Sequence, residues 1–335
     1  MKKDKKKKTI IIAEAGVNHN GNFNLAKKMI IEASKIGVDF IKFQTFSADT
    51  LTTKYAKKPP YAISKKNPFQ HAMLKNLELK KKNFYKLKKI CKKYKIGFLS
   101  SAFDIENLKF LNKLKLEFFK VPSGEINNVP YLRQVAKFKK KIILSTGMSN
   151  LKEISFALNT LKKVGVKKTK IFLLQCNTDY PSPLEDANLN VINLYKKKFN
   201  VQVGYSDHTS GIEASTAAVT LGAKIIEKHF TLNKKFNGPD HKASLDVKEF
   251  RTLVKSIRNV EIAMGNPYKN ITPSEKKNIK LVRKSLVART NIKKGEVFNE
   301  KNLTAKRPGV GKPPSLWDNY IGKKAKKNYI KDQLI

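Results

Sequence analysis

Cysteine is nearly missing from this chain of 335 residues: Cys91 and Cys176 are the only two, each inside an apolar segment. That excludes a disulfide-stapled secreted scaffold and fits buried, reduced thiols in a cytoplasmic protein. Long apolar runs are also lacking. The first one, 9–13, is broken by Glu14, too early for a signal-peptide core, and no stretch reaches the ~20 residues of a membrane span. A soluble protein without membrane partners is therefore expected. Acidic residues are few, 26 against 70 basic ones, giving a net charge of +44. Such a balance invites a nucleic-acid reading, yet arginine is scarce too. Only Arg133, Arg251, Arg258, Arg283, Arg289 and Arg307 occur, whereas planar recognition of phosphates and bases leans on arginine. The lysines are spread over the whole chain, which points to a compositional bias. Specific nucleic-acid binding is not expected, although non-specific attraction to polyanions is.

What is present is a regular alternation. Short apolar runs at 9–13, 38–43, 96–100, 118–121, 141–145, 170–175, 201–204 and 223–227 are each followed by a helical stretch, the last helix covering 247–264. Eight strands alternating with eight helices predict an α/β fold of the (β/α)8 TIM-barrel type. An open doubly wound sheet would carry fewer strands and an early glycine-rich phosphate fingerprint, which the spacing of Gly16 and Gly21 does not make. The pattern divides the chain into a Lys-rich extension (1–8), a barrel (9–265), a Gly/Asn/Pro-containing linker (266–282) and a small β-rich module (283–335) with short strands at 285–288, 292–298 and 303–309. A core that small is marginal alone and is expected to pack on the barrel or on a partner subunit.

Active-site groups of such barrels come from the carboxyl ends of the strands. Those positions carry Glu14 with Asn18 and His19, Lys42 and Gln44, Ser100 and Ser101, Lys120 with Ser123 and Glu125, Ser145 and Thr146, Gln175 with Asn177 and Tyr180, Ser206 with Asp207 and His208, and Glu227 with Lys228 and His229. Every strand ends in ionisable or hydroxyl groups, which favours a binding site over an inert barrel. Lys42 and Lys120 among the hydroxyls of Ser101, Ser123, Ser145 and Ser206 suit a ligand bearing phosphate and carboxylate. Alternatively, either lysine pairs with Glu14 or Glu125 as a core ion pair. His208 and His229, near Asp207 and Glu227, can hold a divalent metal with open positions, or can be ordinary polar residues at strand ends. His19 and His241 are loop residues over the same face, either supporting the site or solvated. His71, in an amphipathic helix, is read as inert.

These residues lie in motifs that resemble the sialic acid (nonulosonate) synthase family: Ala13-Glu14-Ala15-Gly16-Val17-Asn18-His19-Asn20-Gly21, Lys42-Phe43-Gln44-Thr45-Phe46, Lys120-Val121-Pro122-Ser123-Gly124-Glu125, Leu144-Ser145-Thr146-Gly147-Met148, Tyr205-Ser206-Asp207-His208, Glu227-Lys228-His229-Phe230 and Gly238-Pro239-Asp240-His241. Arg283-Lys284-Ser285-Leu286 and Lys306-Arg307-Pro308-Gly309 resemble that family's antifreeze-like (SAF) domain. The resemblance implies an enzyme that condenses phosphoenolpyruvate with an N-acetylated hexosamine and water, releasing phosphate. It implies a divalent metal, typically manganese with magnesium or cobalt as alternatives, on His208 and His229. Phosphoenolpyruvate would be held by Lys42, Ser101, Lys120, Ser123, Ser145, Asn177 and Ser206. The sugar would meet Gln44, Tyr180 and Asp240, and Arg307 reaching over from the partner of a domain-swapped homodimer. Glu14 and Glu125, with Lys42 and Lys120, are the catalytic candidates. N-acetylmannosamine, giving N-acetylneuraminate, is the first expectation; a 2,4-diacetamido-trideoxy sugar, giving N,N'-diacetyllegionaminate, is the alternative. A polyanion-binding protein on a barrel scaffold is the non-enzymatic one. One departure from the family pattern, Ser100-Ser101-Ala102-Phe103 in place of Ser-Thr-Pro-Phe, loses a rigid proline, so a looser loop is expected there.

Overall fold

The computed structural model describes residues 8–58 and 68–335, so most of the Lys-rich extension and residues 59–67 of the insertion after the second strand lie outside the described residues. The chain divides into two compact units, Met1–Gly265 and Asn266–Ile335.

In the first unit eight parallel strands close into a barrel in sequence order. They are β1 (Ile10–Gly16), β2 (Phe40–Thr45), β3 (Gly97–Ala102), β4 (Phe118–Val121), β5 (Lys141–Ser145), β6 (Ile171–Cys176), β7 (Gln202–Asp207) and β8 (Ile225–His229). Several strands run further into the polar stretches than apolar content alone suggests. β7 ends at Asp207 rather than 204, and β8 at His229 rather than 227, because Ser206↔Glu227 and Asp207↔Lys228 still form ladder rungs between them. Their polar side chains therefore keep the strand period of two, alternately inside and outside the barrel wall.

The inside is layered. At the amino-terminal end Ile12, Leu99, Phe118, Ile143, Phe172, Leu174 and Ile225 fill the bore, with Phe118 meeting both Phe40 and Phe172 edge-on at 5.6 Å between ring centroids. Gly97 makes room for this layer, since a Cβ there would stand 2.2 Å from the Phe40 ring. This apolar plug closes the bottom and leaves only the carboxyl-terminal end open to a ligand. Outside the wall, the helices bury their apolar faces. The first (Phe23–Ile36) buries Ala26, Met29, Ile30, Ala33 and Ile36, the i, i+3, i+4 spacing of one stripe. It starts at an Asn22 cap that accepts the Asn24 and Leu25 N–H groups and stops at Gly37, φ 87°. The last (Val247–Ala263) opens with a capping box between Asp246 and Glu249. Arg258 on it donates to the Thr9 carbonyl at 2.9 Å and to Asp39 at 3.0 Å, which fixes the entry of β1.

The loop after β3 differs from its expectation. Ala102 is the final strand residue, fully buried, and its carbonyl accepts the Tyr131 hydroxyl at 2.7 Å, so a tertiary hydrogen bond stands where a proline would have stiffened the chain.

The second unit contains β9 (Ser285–Ala288) and β10 (Leu303–Lys306), antiparallel, around Leu286, Ala288, Ile292, Phe298, Leu303, Ala325 and Tyr329. The stretch expected as a strand at 292–298 makes only single bridges, Ile292↔Tyr329 and Val297↔Lys324. The stretch expected as a linker carries a helix, Pro273–Val282, capped by Thr272 and Glu275 with proline in its first turn. None of its residues is buried, so its polar sequence gave no amphipathic signal to read.

Candidate active site

The open end of the barrel holds a cavity of about 430 Å³ whose walls include Glu14, Lys42, Ser101, Lys120, Ser145 and Ser206. All six are inward members of their strands, and all are at most 5% exposed. Lys42 Nζ lies 2.8 Å from Glu14 Oε2, 3.7 Å from Glu227 Oε1 and 3.0 Å from Ser101 Oγ. Lys120 Nζ donates to Glu227 Oε1 at 3.1 Å, and Ser206 Oγ donates to the same atom at 3.3 Å. Both sequence alternatives for the lysines are thus realised at once: they are ion-paired and they line the cavity. The counterion of Lys120 is Glu227, not Glu125.

The two carboxylates are not equivalent. Burial pushes Glu14 up to about 7; Lys42 opposes this, but its ammonium is shared with Glu227, whose own charge disfavours a second anion. For Glu227 burial also pushes upward, but Lys120 and Lys42 outweigh it and hold the group well below its usual range. Burial pulls Lys42 down, and Glu14 with Glu227 outweighs that, leaving the ammonium charged. The floor therefore sets the Lys42 ammonium and one fixed anion, which Lys120 hydrogen-bonds, beside one carboxyl that exchanges its proton near neutrality. Ser145 Oγ and Glu227 Oε2 are buried without a hydrogen-bond partner, and Glu14 Oε2 meets Lys42 only at ion-pair distance. Unsatisfied polar atoms collected on one cavity floor are the mark of a polar ligand site.

Above the floor, His208 and His229 face each other with ring centroids 5.5 Å apart. His208 Nδ1 donates to the Asn177 carbonyl at 2.6 Å, which leaves its Nε2 lone pair free to ligate. His229 Nδ1 is buried without a hydrogen-bond partner, 3.8 Å from Asp240 Oδ2. Burial is the leading cause that lowers both, His208 to about 4 and His229 well below its usual value, so both rings are neutral, the form that binds metal. Among the described residues no group of three or more His, Cys, Asp or Glu is arranged to hold an ion. Two adjacent neutral imidazoles and an orphaned ring nitrogen nevertheless fit a divalent cation whose other positions go to ligand oxygens or water. Tyr180 closes this corner, tilted over His208 at 4.2 Å between ring centroids and edge-on to His229 at 5.4 Å.

Period-two alternation sends other strand-end residues away from the cavity. Asp207, read from sequence as a neighbour of the metal, lies outside the wall, fully buried against Lys228 at 2.7 Å. Ser100 bonds Thr45 at 2.6 Å, and Thr146 and Gln175 both meet Tyr195 behind the barrel. Ser123 is on the rim, accepting the Gly147 N–H at 3.0 Å. Asn177 lines an adjacent cleft instead, its Oδ1 taken by the Asp179 N–H at 2.7 Å. Glu125 turns to Asn128 at 2.6 Å and does not line the cavity. Asp240 is 8% exposed and reaches the site only through His229. Gln44 lines the cavity, 3.4 Å from Glu14. Arg307, in the second unit, is exposed and donates to the Val282 carbonyl at 2.9 Å. Neither loop histidine is solvated: His19 Nδ1 accepts the Gly21 N–H at 3.0 Å, and His241 Nδ1 meets Thr231 Oγ1 at 2.7 Å. His71 pairs with Asp49 at 2.8 Å, outside the site. Phe103, Met148 and Thr178, from loops, and Gln70, the first residue of the helix Gln70–Leu77, also line the cavity; no strand period announces them.

Residues 29–269 match the model of the NeuB family, and 283–335 that of the SAF domain. The chain belongs to the NeuB family. Over 331 residues this NeuB-family chain is 53% identical to the N,N'-diacetyllegionaminic acid synthase of Campylobacter jejuni, covering 98% of this chain and 99% of that one. It is 37% identical to the human N-acetylneuraminate-9-phosphate synthase, covering 94% and 88% of the two chains. The crystal structure of an N-acetylneuraminic acid (sialic acid) synthetase from Leptospira borgpetersenii, in complex with citrate, superposes with a TM-score of 0.72 at 34% identity, over 81% of this chain and 90% of that one. The NeuB-family chain is accordingly an enzyme, a nonulosonate synthase of the C–C bond-forming transferase class. Family membership sets aside the barrel as a mere polyanion-binding scaffold, and its charge excess becomes a property of the surface. No helix among the described residues is long and apolar enough to cross a membrane.

Proposed function

We propose that this synthase condenses phosphoenolpyruvate with a 2,4-diacetamido-trideoxy-mannose and water, giving N,N'-diacetyllegionaminate and inorganic phosphate. The observation that carries the choice of sugar is the 53% identity, along virtually the whole of both chains, to a protein named for that product, against 37% to the N-acetylneuraminate-9-phosphate synthase. Of the two sugars expected from sequence, the alternative is thus the better supported. The named Leptospira structure keeps N-acetylmannosamine, the first expectation, as the second reading.

The chemistry suits the floor. Lys42 and Lys120, with Ser101, Ser145 and Ser206, offer charge-assisted donors to the carboxylate and phosphate of phosphoenolpyruvate, and Ser123 completes that set at the rim, while Asn177 acts through its carbonyl, which holds the His208 ring. The enol carbon attacks the sugar aldehyde to form the new C–C bond. Water then adds to the resulting cationic carbon, and the C–O bond to phosphate breaks to release it. The attacking water loses both protons on the way to the keto group, one taken up at the aldehyde oxygen and the other leaving with the phosphate. Glu14, buried and titrating near neutrality, is suited to hold or take up such a proton at its carboxyl oxygens; Glu227 stays ionised and keeps the two ammoniums in register. Glu125 remains an orienting candidate through the turn after β4. A divalent cation on His208 and His229, manganese with magnesium or cobalt as alternatives, would supply Lewis-acid polarisation of the sugar aldehyde. Gln44 and Tyr180 would meet the sugar, with Asp240 acting through His229, and Arg307 would meet its N-acetyl group from the partner of a domain-swapped homodimer in the cytoplasm.

The test is release of phosphate from phosphoenolpyruvate by the purified enzyme with each sugar in turn, with the product identified by mass. Higher kcat/KM for the diacetamido sugar is expected. Preference for N-acetylmannosamine would overturn the sugar assignment, and phosphate release indifferent to any sugar would overturn the reaction.

A further inference from the structure

The last rung of the β7–β8 ladder pairs Asp207 with Lys228, and each is followed in the chain by one of the two facing histidines, His208 and His229. Both side chains leave the barrel wall on the side away from the cavity. There the Lys228 ammonium makes two contacts that cross the seam, to Asp207 Oδ2 at 2.7 Å and to the Thr209 carbonyl at 2.8 Å. Asp207 and Thr209 are the residues on either side of His208, so one ammonium on β8 brackets that imidazole's backbone. The remaining capacity of the carboxylate is filled as well. Oδ1 accepts the Thr209 N–H at 2.9 Å and its hydroxyl at 2.7 Å, and Oδ2 accepts Ser215 Oγ at 2.6 Å from the helix Glu213–Thr220. The pair is at most 2% exposed. Two charges so deep are costly to desolvate, and packing alone would be served as well by apolar residues of similar volume. What an apolar pair could not supply is direction: an ion pair with a fully used carboxylate fixes one register between two chain segments beyond the point where their ladder ends.

We propose that Asp207 and Lys228 are positioning residues for the His208–His229 pair: from outside the barrel they set the separation of the two imidazoles and thereby the strength with which these take a divalent cation. Neither touches the cavity, so neither is catalytic. The inference rests on the reading of the two histidines as metal ligands. It is distinct from a purely structural role, because a loss confined to folding would lower stability and leave the affinity of the folded protein for metal unchanged.

The experiment measures Mn²⁺ binding to the full-length, metal-stripped protein from the free-ion electron paramagnetic resonance signal, beside thermal unfolding and the KM for phosphoenolpyruvate. The double variant Asp207→Asn/Lys228→Met removes both charges, keeps the volume and leaves Asn Oδ1 to accept from Thr209. It is expected to fold, to bind Mn²⁺ about 10- to 100-fold more weakly, and to keep its KM for phosphoenolpyruvate, whose ligands are on the inner face. A folded double variant with a Kd for Mn²⁺ within twofold of the parent overturns the proposal. Should the double variant not fold, Ser215→Ala decides: freeing one carboxylate oxygen is expected to weaken Mn²⁺ about threefold, and an unchanged Kd overturns the proposal. His208→Ala separates the two readings. A parent that binds no Mn²⁺, or a His208→Ala protein that binds it equally well, sinks the metal assignment and this inference together; a normal parent and a defective His208→Ala protein with an unchanged double variant sink this inference alone.

Discussion

Asp240→Asn makes the most exacting test of the site's electrostatics. Asp240 is 8% exposed, and the nearest cation-forming group is His229 Nδ1 at 3.8 Å, a ring that burial and its charged neighbours keep neutral. Burial alone therefore acts on the carboxyl, pushing it from the ordinary 3.8 to about 6. At about 1.4 kcal/mol for each pH unit, an ionised Asp240 costs the folded barrel ~3 kcal/mol. The sign follows from the raised value. Below pH 4 the acid is protonated in both states and costs nothing; as pH rises to 6 the unfolded chain ionises first and stability falls; above 6 the full penalty is in place. Asparagine cannot ionise. In chelator-treated protein, Asp240→Asn should match the parent below pH 4, gain on it between pH 4 and 6, and then hold a constant advantage. An advantage of ~3 kcal/mol corresponds to about 6 °C in the barrel's unfolding temperature, read by calorimetry or circular dichroism across a pH series. Catalysis should move the other way. Losing the carboxylate beside His229 Nδ1 weakens the support of that ring and lowers kcat/KM about tenfold, so a stabilised but impaired enzyme is the expected outcome. A pH-independent difference, or a variant less stable than the parent at pH 8, would refute the account of Asp240 as a buried, unpaired acid.

Two further substitutions probe the floor and the plug. Lys120→Met removes the closer of the two ammoniums on Glu227, which leaves a buried carboxylate with only Lys42 at 3.7 Å; a loss of about 3–5 kcal/mol in denaturant unfolding and a rise in KM for phosphoenolpyruvate are expected, and an unchanged KM would remove Lys120 from the anion site. Gly97→Ala drives a methyl to within 2.2 Å of the Phe40 ring, a ring already packed on Phe118. It should cost about 1–3 kcal/mol with kcat intact, because the plug lies at the end of the bore away from the cavity.

Much of this molecule was legible before its coordinates. The strand runs and the motifs at their ends carry the barrel and most of its inward groups, since each strand must alternate and each active-site group must stand at a carboxyl end. The misplacements have a common cause. Asp207 stands in sequence between Ser206 and His208, but parity along β7 sends neighbours to opposite faces and turns Asp207 outward, onto Lys228. Ser100 and Thr146 fall to the same rule. Asn177 and Glu125 lie beyond their strands, where backbone turns rather than parity decide direction, and both side chains are used up in those turns. Phe103 and Thr178, in loops, and Gln70, at the start of a helix, had no signal to betray them, because the approach of such residues to a cavity depends on the whole path of the chain. The burial of His19 and His241 depends likewise on loops that close over one another.

The floor sets two lysines, Lys42 and Lys120, against two acids, Glu14 and Glu227, inside a protein that carries +44 overall. The working charges are thus insulated from the census of the surface. Lysines on the outer helices can accumulate or vanish as the composition of a genome drifts, and the ring that meets the substrates is left with the same two cations and the same two acids. The charge of the surface and the chemistry of the site thus rest on different residues.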